Sequence, residues 1–574
     1  ASPDPCSSFS SCVWRELRRL SGLSCKAWSR TCLGASPIST GRNAEGTAGS
    51  ASTLSSCCWR VRTGATDGRL RLSISPVTQI AVASTRERTA RSVFQRGSTG
   101  RGELDDTTSA QLHPIVLRRG LPHTMAALCC STVPLRLLLV RHGLSSFNQE
   151  RRIQGRDDLS NLTEEGHEQA RALGGSLSDV PFDAVYSSRL RRAASTTASL
   201  LEARGGTAPE PVFDDGLLEV DLEPWSGMAI DELTERYPED YATWKRRPLE
   251  LELERRDGRR YRPLPDLMQQ AEHFVAGLLK RHPVETDATV LVVAHNAILR
   301  CLMLTLLGEP ENGFRRLRVD NTSLSVFNLT AGESRPQVQI ECLNSTTHLS
   351  PLPAKGKGAR LILVRHGETD WNKEGRFQGQ IDIPLNEHGR SQAAAARDFL
   401  RTVRIDRAWS STLSRPTETA EIILEAHPGV ALTQTDGLVE IGHGQWEGKL
   451  ESEIRADWSD LLDTWKRTPE TVQMPDGETI QDVWARSVRS WGEIATSLEA
   501  EDTALVVAHD AVNKTILCDL LGLTPADIWA VKQGNGGVTV VDIATDPGQP
   551  AVVTCLNLTS HFGSVLDRTA AGAL

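Results

Sequence analysis

Short hydrophobic runs that end abruptly in polar motifs set the pattern of this chain, as in LRLLLVRHG at 135–143 and ARLILVRHG at 359–367. Further runs of the same kind, DAVYSS (183–188), TVLVVAH (289–295) and TSLSVFNL (322–329), read as buried strands. Between them, segments such as TEEGHEQARALGGSL (163–177) and RLRRAASTTASLLEA (189–203) space their apolar residues at helical intervals. Strands alternating with helices predict an α/β fold with a largely parallel sheet covered on both faces. Ligand sites in such sheets lie at the carboxyl ends of strands, so the RHG and AH motifs should converge there.

The pattern occurs twice. LRLLLVRHGLSSFNQERRIQG (135–155) returns as ARLILVRHGETDWNKEGRFQG (359–379), SSRLRRAASTTASLL (187–201) as SSTLSRPTETAEIIL (410–424), and LLEVDLEPWSG (217–227) as LVEIGHGQWEG (438–448). VLVVAHNAILRCLMLTLLG (290–308) matches ALVVAHDAVNKTILCDLLG (504–522), and the tails CLNSTTHL (342–349) and CLNLTSHF (555–562) match as well. A repeat this long is a duplicated globular domain, since solenoid units run about 20–50 residues. The expected organisation is a leader at 1–132, one three-layer α/β/α domain at 133–349, a Pro/Gly/Lys-rich linker at 350–358 and a second such domain at 359–574.

The leader differs from the rest in charge. Residues 1–100 hold five Asp/Glu and fourteen Lys/Arg amid dense Ser, Thr, Gly and Ala. An Arg-rich, acid-poor leader of this kind resembles an organellar transit peptide and is expected to stay disordered, with the chloroplast the leading address and the mitochondrion second. A gene-model extension is the alternative, since Met125 stands just before the first apolar strand. The whole chain of 574 residues carries a net charge of −9, which argues against a dedicated nucleic-acid binder. No apolar run reaches the length of a membrane span. Eight of the twelve cysteines precede the first RHG, and none is spaced as C-x-x-C, so Cys301, Cys342, Cys518 and Cys555 read as small buried hydrophobes.

The chemistry follows from the repeated polar residues. A histidine (His142, His366) at a strand end, flanked by Arg (Arg141, Arg365) and a glycine that lets a ligand approach, suits an anionic ester. Arg192 and Arg415 fall in the first turn of a helix, where backbone N–H groups already favour anions, with Ser187/Ser188 and Ser410/Ser411 as expected N-caps. His295 and His509 end a second strand, so each half gathers a cationic pocket able to stabilise charge during phosphoryl transfer. Glu219 and Glu440 are candidate proton donors to a leaving alkoxide. Outside the site motifs and the repeated tails, eight further histidines (His113, His123, His167, His273, His282, His388, His427, His443) have no partner pattern and are expected at the surface. Nothing in this scheme calls for a metal or a cofactor.

These motifs, VRHGETDWN above all, resemble the histidine phosphatase or phosphoglycerate mutase-like superfamily over about three quarters of the chain. The resemblance implies His142 and His366 as phosphoryl acceptors, with Arg141, Arg192 and His295, and Arg365, Arg415 and His509, holding the phosphate. It also implies contacts from Asn148 and Asn372, and proton donation by Glu219 and Glu440. The segments at the acid resemble the phosphatase branch more than the glycolytic mutases. The expected activity is metal-independent hydrolysis of small sugar-acid phosphates, 2-carboxy-D-arabinitol 1-phosphate among them. Alternatives are a phosphoglycerate mutase, a phosphoserine phosphatase, or a non-catalytic binder of phosphorylated ligands. The halves also differ: Leu144 and Ser145 stand where the second half has Glu368 and Thr369, PDGE at 475–478 has no clear counterpart, the first half is seven residues longer between its Trp and second His, and Asp510 follows His509 where family members usually carry a small or neutral residue.

Overall fold

A computed structural model describes the backbone of 59–66 and 69–76 and the residues 134–308, 313–546 and 548–569. The chain divides into two units, at 1–123 and at 124–574. In the first, Trp59–Thr66 pairs antiparallel with Arg69–Pro76; the rest of the expected leader, with His113 and His123, lies outside the described residues.

The second unit is built on a twelve-stranded sheet. Its first half supplies β1 (Leu135–Arg141), β2 (Ala184–Ser187), β3 (Val212–Phe213), β4 (Thr289–Ala294), β5 (Leu324–Thr330) and β6 (Gln337–Ser345). The second half repeats them as β7 (Arg360–Arg365), β8 (Arg407–Ser411), β9 (Leu432–Thr435), β10 (Thr503–Ala508), β11 (Val538–Asp542) and β12 (Val552–Leu558). The spatial order is β9-β8-β10-β7-β11-β12-β6-β5-β1-β4-β2-β3; in each half four strands pair in parallel, one strand (β5, β11) runs opposite to them, and the last (β6, β12) pairs antiparallel with that one, so the halves meet at β12 and β6.

Near-continuous apolar strands are what a sheet buried on both faces demands. In β1, Leu137 and Leu139 join one core cluster while Leu138 and Val140 join another on the opposite face. The first half's helices are α1 (Ser146–Gln149), α2 (Glu164–Ser176), α3 (Arg191–Arg204), α4 (Ile230–Arg236), α5 (Pro238–Arg246), α6 (Pro263–Arg281) and α7 (Asn296–Leu307). Those of the second half are α8 (Asp370–Glu374), α9 (Glu387–Leu400), α10 (Ser414–Leu424), α11 (Glu451–Arg467), α12 (Ile480–Thr496) and α13 (Asp510–Leu521). Helices α2 and α3 pack together on one face and α6 and α7 on the other, and the second half repeats this with α9/α10 and α12/α13. Each half is thus an α/β/α layer. Among the described residues no helix is long and apolar enough to cross a membrane.

The seam between the halves has its own symmetry. Asn344 and Asn557, from the matching CLN tails, adopt φ of 50° and 51°, a left-handed conformation that asparagine tolerates through local side-chain hydrogen bonds. Each reaches across the seam: Asn344 Nδ2 donates to Thr554 O at 2.7 Å and Asn557 Nδ2 to Glu341 O at 2.8 Å. Their Oδ1 atoms accept from Asp320 N and Gly534 N at 2.7 and 2.8 Å, which fixes the loops that carry Asn321 and Asn535.

Candidate active site

Parallel register brings the two histidines of each half together. Arg141 pairs with Ala294 across β1 and β4, and Arg365 with Ala508 across β7 and β10, so the next residues, His142/His295 and His366/His509, leave adjacent strand ends side by side. Their ring centroids lie 5.2 Å apart in the first half and 5.1 Å in the second. All four rings are buried.

The backbone sets the tautomer of the first histidine. His142 Nδ1 lies 2.7 Å from Gly143 O, and His366 Nδ1 2.7 Å from Gly367 O. A carbonyl only accepts, so Nδ1 carries the hydrogen and the lone pair sits on Nε2. Burial, then the guanidiniums of Arg141 and Arg192, hold His142 well below the ordinary histidine range; burial, then Arg415 and Arg365, do the same to His366. Both rings are therefore neutral near pH 7 and present a nucleophilic nitrogen. His295 and His509 are lowered by the same causes, and their Nε2 atoms meet Ser188 Oγ at 2.8 Å and Ser411 Oγ at 2.9 Å.

The arginines are positioned by carbonyls. Arg192 donates to Gly155 O (2.9 Å) and Asp157 O (3.2 Å), and Arg415 to Gly379 O (2.7 Å) and Ile381 O (3.2 Å). Arg141 donates to Val319 O at 2.8 Å and Arg365 to Gln533 O at 2.6 Å. In all four the Nε–H is buried without a protein partner, and so are Nδ1 of His295 and of His509. Buried polar groups are nearly always satisfied, so the same three atoms left over in each half mark where a ligand's oxygens fit. Burial lowers both Arg192 and Arg415 to about 10, which leaves them charged at pH 7.

Each glutamate is anchored at the start of the helix that follows the second histidine. Glu219 accepts from Val220 N (2.9 Å), Ala297 N (3.1 Å) and Ile298 N (3.2 Å); Glu440 accepts from Ile441 N (3.0 Å), Asp510 N (3.0 Å) and Ala511 N (3.4 Å). Burial, then the charge of Asp510, raises Glu440 above the usual carboxylate range. Asn148 and Asn372 occupy the third position of the short helices α1 and α8, with Oδ1 accepting from Ser145 N (3.4 Å) and Thr369 N (3.2 Å). Asn321 and Asn535 donate to the same Oδ1 atoms at 3.2 and 3.3 Å, so only the NH₂ group of Asn148 or Asn372 is left for a phosphate.

A family model described as "Histidine phosphatase superfamily (branch 1)" matches residues 137–340 and again 361–556. The chain belongs to the histidine phosphatase superfamily. Its family therefore places it among the phosphoric monoester hydrolases. Among its relatives, 2-carboxy-D-arabinitol-1-phosphatase of Triticum aestivum is 28% identical over 447 residues, 75% of this chain and 86% of that protein. Phosphoserine phosphatase 1 of Hydrogenobacter thermophilus is 34% identical over 204 residues, 36% of this chain and 94% of that protein. A 2,3-bisphosphoglycerate-dependent phosphoglycerate mutase 2 of Gloeobacter violaceus is 35% identical over 178 residues, 30% of this chain and 81% of that protein.

Against this histidine phosphatase fold, several expectations need correction. The serines are not N-caps: α3 and α10 begin after Leu190 and Leu413, and Ser188 and Ser411 bond the second histidines instead. The glycines after His142 and His366 also answer to packing, because a Cβ there would lie 2.4 Å from Gly166 O or 2.3 Å from Gly389 O. His443 is not at the surface; it occupies the core position matching Leu222, against Phe377 and Trp465, and burial drives it down to about 3. His427 is buried too, and His282 bonds the Tyr186 hydroxyl at 2.9 Å. Asn321/Asn535 and Thr196/Thr419, which accept from Gly143 N and Gly367 N at 3.0 and 3.1 Å, support the site without having been singled out. Their recurrence at one register was the available signal.

Proposed function

We propose that each half hydrolyses a small sugar-acid phosphate through a phosphohistidine, with 2-carboxy-D-arabinitol 1-phosphate the leading substrate. The observation that carries the reading is the set of buried, unanswered polar atoms, the Nε–H donors of Arg141, Arg192, Arg365 and Arg415 and Nδ1 of His295 and His509, beside a neutral histidine in each half. Nε2 of His142 or His366 attacks phosphorus, the ester P–O bond breaks, and Glu219 or Glu440 gives its proton to the leaving alkoxide. Water then attacks the phosphohistidine, the P–N bond breaks, and the water's proton goes to the glutamate. The arginines stabilise the charge on the equatorial oxygens throughout. No step requires a metal.

The choice of substrate is supported by the wheat relative, whose match runs over 75% of this chain and 86% of its own length. A phosphoserine phosphatase is the second reading, favoured by the Hydrogenobacter relative, which matches at higher identity over 36% of this chain. The Arg-rich leader supports a plastid address, with import of a tagged full-length chain as its check.

Phosphate release from 2-carboxy-D-arabinitol 1-phosphate, 3-phosphoglycerate and phosphoserine tests the proposal. Release should be fastest from the first. Interconversion of 2- and 3-phosphoglycerate without net release would replace this reading with a mutase, and no turnover of any ester would leave a ligand-binding protein.

A further inference from the structure

Beyond the two histidine pockets, positive charge gathers at the seam in a way the scheme above does not use. A cavity of about 630 Å³ opens where α5, α7 and the turn Gly313–Arg315 of the first half face the connection between β11 and β12. Its lining includes Lys245, Arg246, Arg300, Arg315 and Arg318 against one carboxylate, Asp546, and none of the histidine-pocket residues. Two of these cations are answered: Arg246 pairs with Asp546 at 3.1 Å, and Arg318 with Asp320 at 2.8 Å.

Among the described residues, Lys245, Arg300 and Arg315 have no carboxylate within ion-pair distance. Arg300 donates one N–H to Phe314 O at 3.5 Å and Arg315 one to Trp244 O, while the Nε–H of each is buried without a partner. Aromatic faces supply part of the compensation: the Phe314 ring lies 5.3 Å from both guanidiniums and the Trp244 ring 5.3 Å from Arg315. A ring face attracts a cation but accepts no strong hydrogen bond, so the Nε–H groups stay unsatisfied. Burial lowers Arg315 to about 10; burial and then the charge of Arg315 lower Arg300 to about 9.

The second half does not share this arrangement. Lys514 stands in the place of Arg300 and is held by Asp510 at 2.9 Å, Lys466 matches Lys245 and is held by Glu451 at 2.7 Å, and Trp529 matches Arg315. Duplication therefore does not explain the surplus charge, which is particular to one side of the seam.

We propose that this seam cavity binds the phosphate or carboxylate group of a small anionic metabolite, held by Arg300, Arg315 and Lys245, at a site separate from both histidine pockets. Arginine forks suit either group, since both offer paired oxygens to bidentate donation. The inference does not depend on which ester the histidine pockets hydrolyse.

Crystals of the full chain soaked in tungstate, read by anomalous scattering, test the site directly. A tungsten peak within hydrogen-bonding distance of Arg300 and Arg315, in addition to any at His142 and His366, is expected; peaks confined to the histidine pockets would overturn the proposal. In solution, the gain in melting temperature on adding inorganic phosphate or malonate should be smaller in Arg300→Met/Arg315→Met than in the wild type, because anion binding to the folded state stabilises it by mass action. The anion with the larger lost gain names the group, and equal gains in the two proteins would count against the site. Should the double variant fail to fold, the soak of the wild type decides.

Discussion

Around Glu219 the first half sets Arg156 on the loop after Gly155 and Gln270 on α6, whereas around Glu440 the second half sets Gln380 on the loop and Arg486 on α12. The hydrogen bonds survive the exchange: Arg156 and Gln380 reach the acid's own carbonyl at 3.0 and 3.1 Å, and Gln270 and Arg486 hold the carbonyls of Leu218 and Val439 just before it. The charge moves from the loop to the helix, and there it acquires a partner, Glu478 of the PDGE segment, 2.9 Å from Arg486. The position after the second histidine diverges as well. Asn296 donates to Val319 O at 2.8 Å, the carbonyl that also holds Arg141, whereas Asp510 cannot donate and lies 2.9 Å from Lys514 and 3.6 Å from Arg365. Duplication has kept the histidine pair and the two arginines of each pocket fixed, while the electrostatics around Glu219 and Glu440 have diverged.

The largest effect is expected at His142 and His366. His142→Ala and His366→Ala should each lower turnover by their own half roughly 10⁴-fold or more, as loss of a covalent nucleophile does, leaving the other half's share intact. An assay of each single variant and the double variant measures the two shares. Next in size, Arg192→Ala and Arg415→Ala should cost about 10²–10³-fold in kcat, the scale of one lost preorganised donor to transition-state charge. Equal losses from the two substitutions would confirm that the anion clamp is the shared part.

Sharper discrimination comes from the acids. Glu440→Gln should lower kcat by roughly 10²-fold for esters with poor leaving groups, and by less where the leaving group needs no proton. In the second half Glu440 must be protonated to act, and burial with Asp510 raises its pKa, so activity falls as pH rises through that value. Asp510→Asn, measured with His142→Ala to silence the first half, should move this alkaline limb to lower pH by up to about one unit. An unmoved limb would mean that Asp510 does not tune the acid. The smallest effect is expected at the seam, where Asn344→Ala removes the buried hydrogen bonds to Thr554 O and from Asp320 N at a cost of about 1–3 kcal/mol, readable by denaturant unfolding.

Much of the fold and of the phosphate pocket could be read from the chain because they are built from contiguous, repeated segments. The apolar runs became strands, RHG and AH fell at their carboxyl ends, and Arg192 and Arg415 stand in the first turn of α3 and α10. What escaped reading depends on contacts between distant segments. Ser188 and Ser411 look like caps by local rules, yet each lies within hydrogen-bond reach of a histidine about a hundred residues away. His443 is polar but fills a position that Leu222 fills in the other half, so no surface rule could place it. The pairing of β6 with β12 and the charge around Arg300 likewise depend on segments that only the folded chain brings together.

Whether two histidines accept phosphoryl groups independently is tested most directly by trapping the intermediate. A rapid alkaline quench during turnover of a phosphate ester, followed by mass mapping, should find phosphohistidine at both His142 and His366, each persisting when the other is changed to Ala. Phosphate on neither residue while the ester is still being hydrolysed, or label that survives in the double variant, would contradict it.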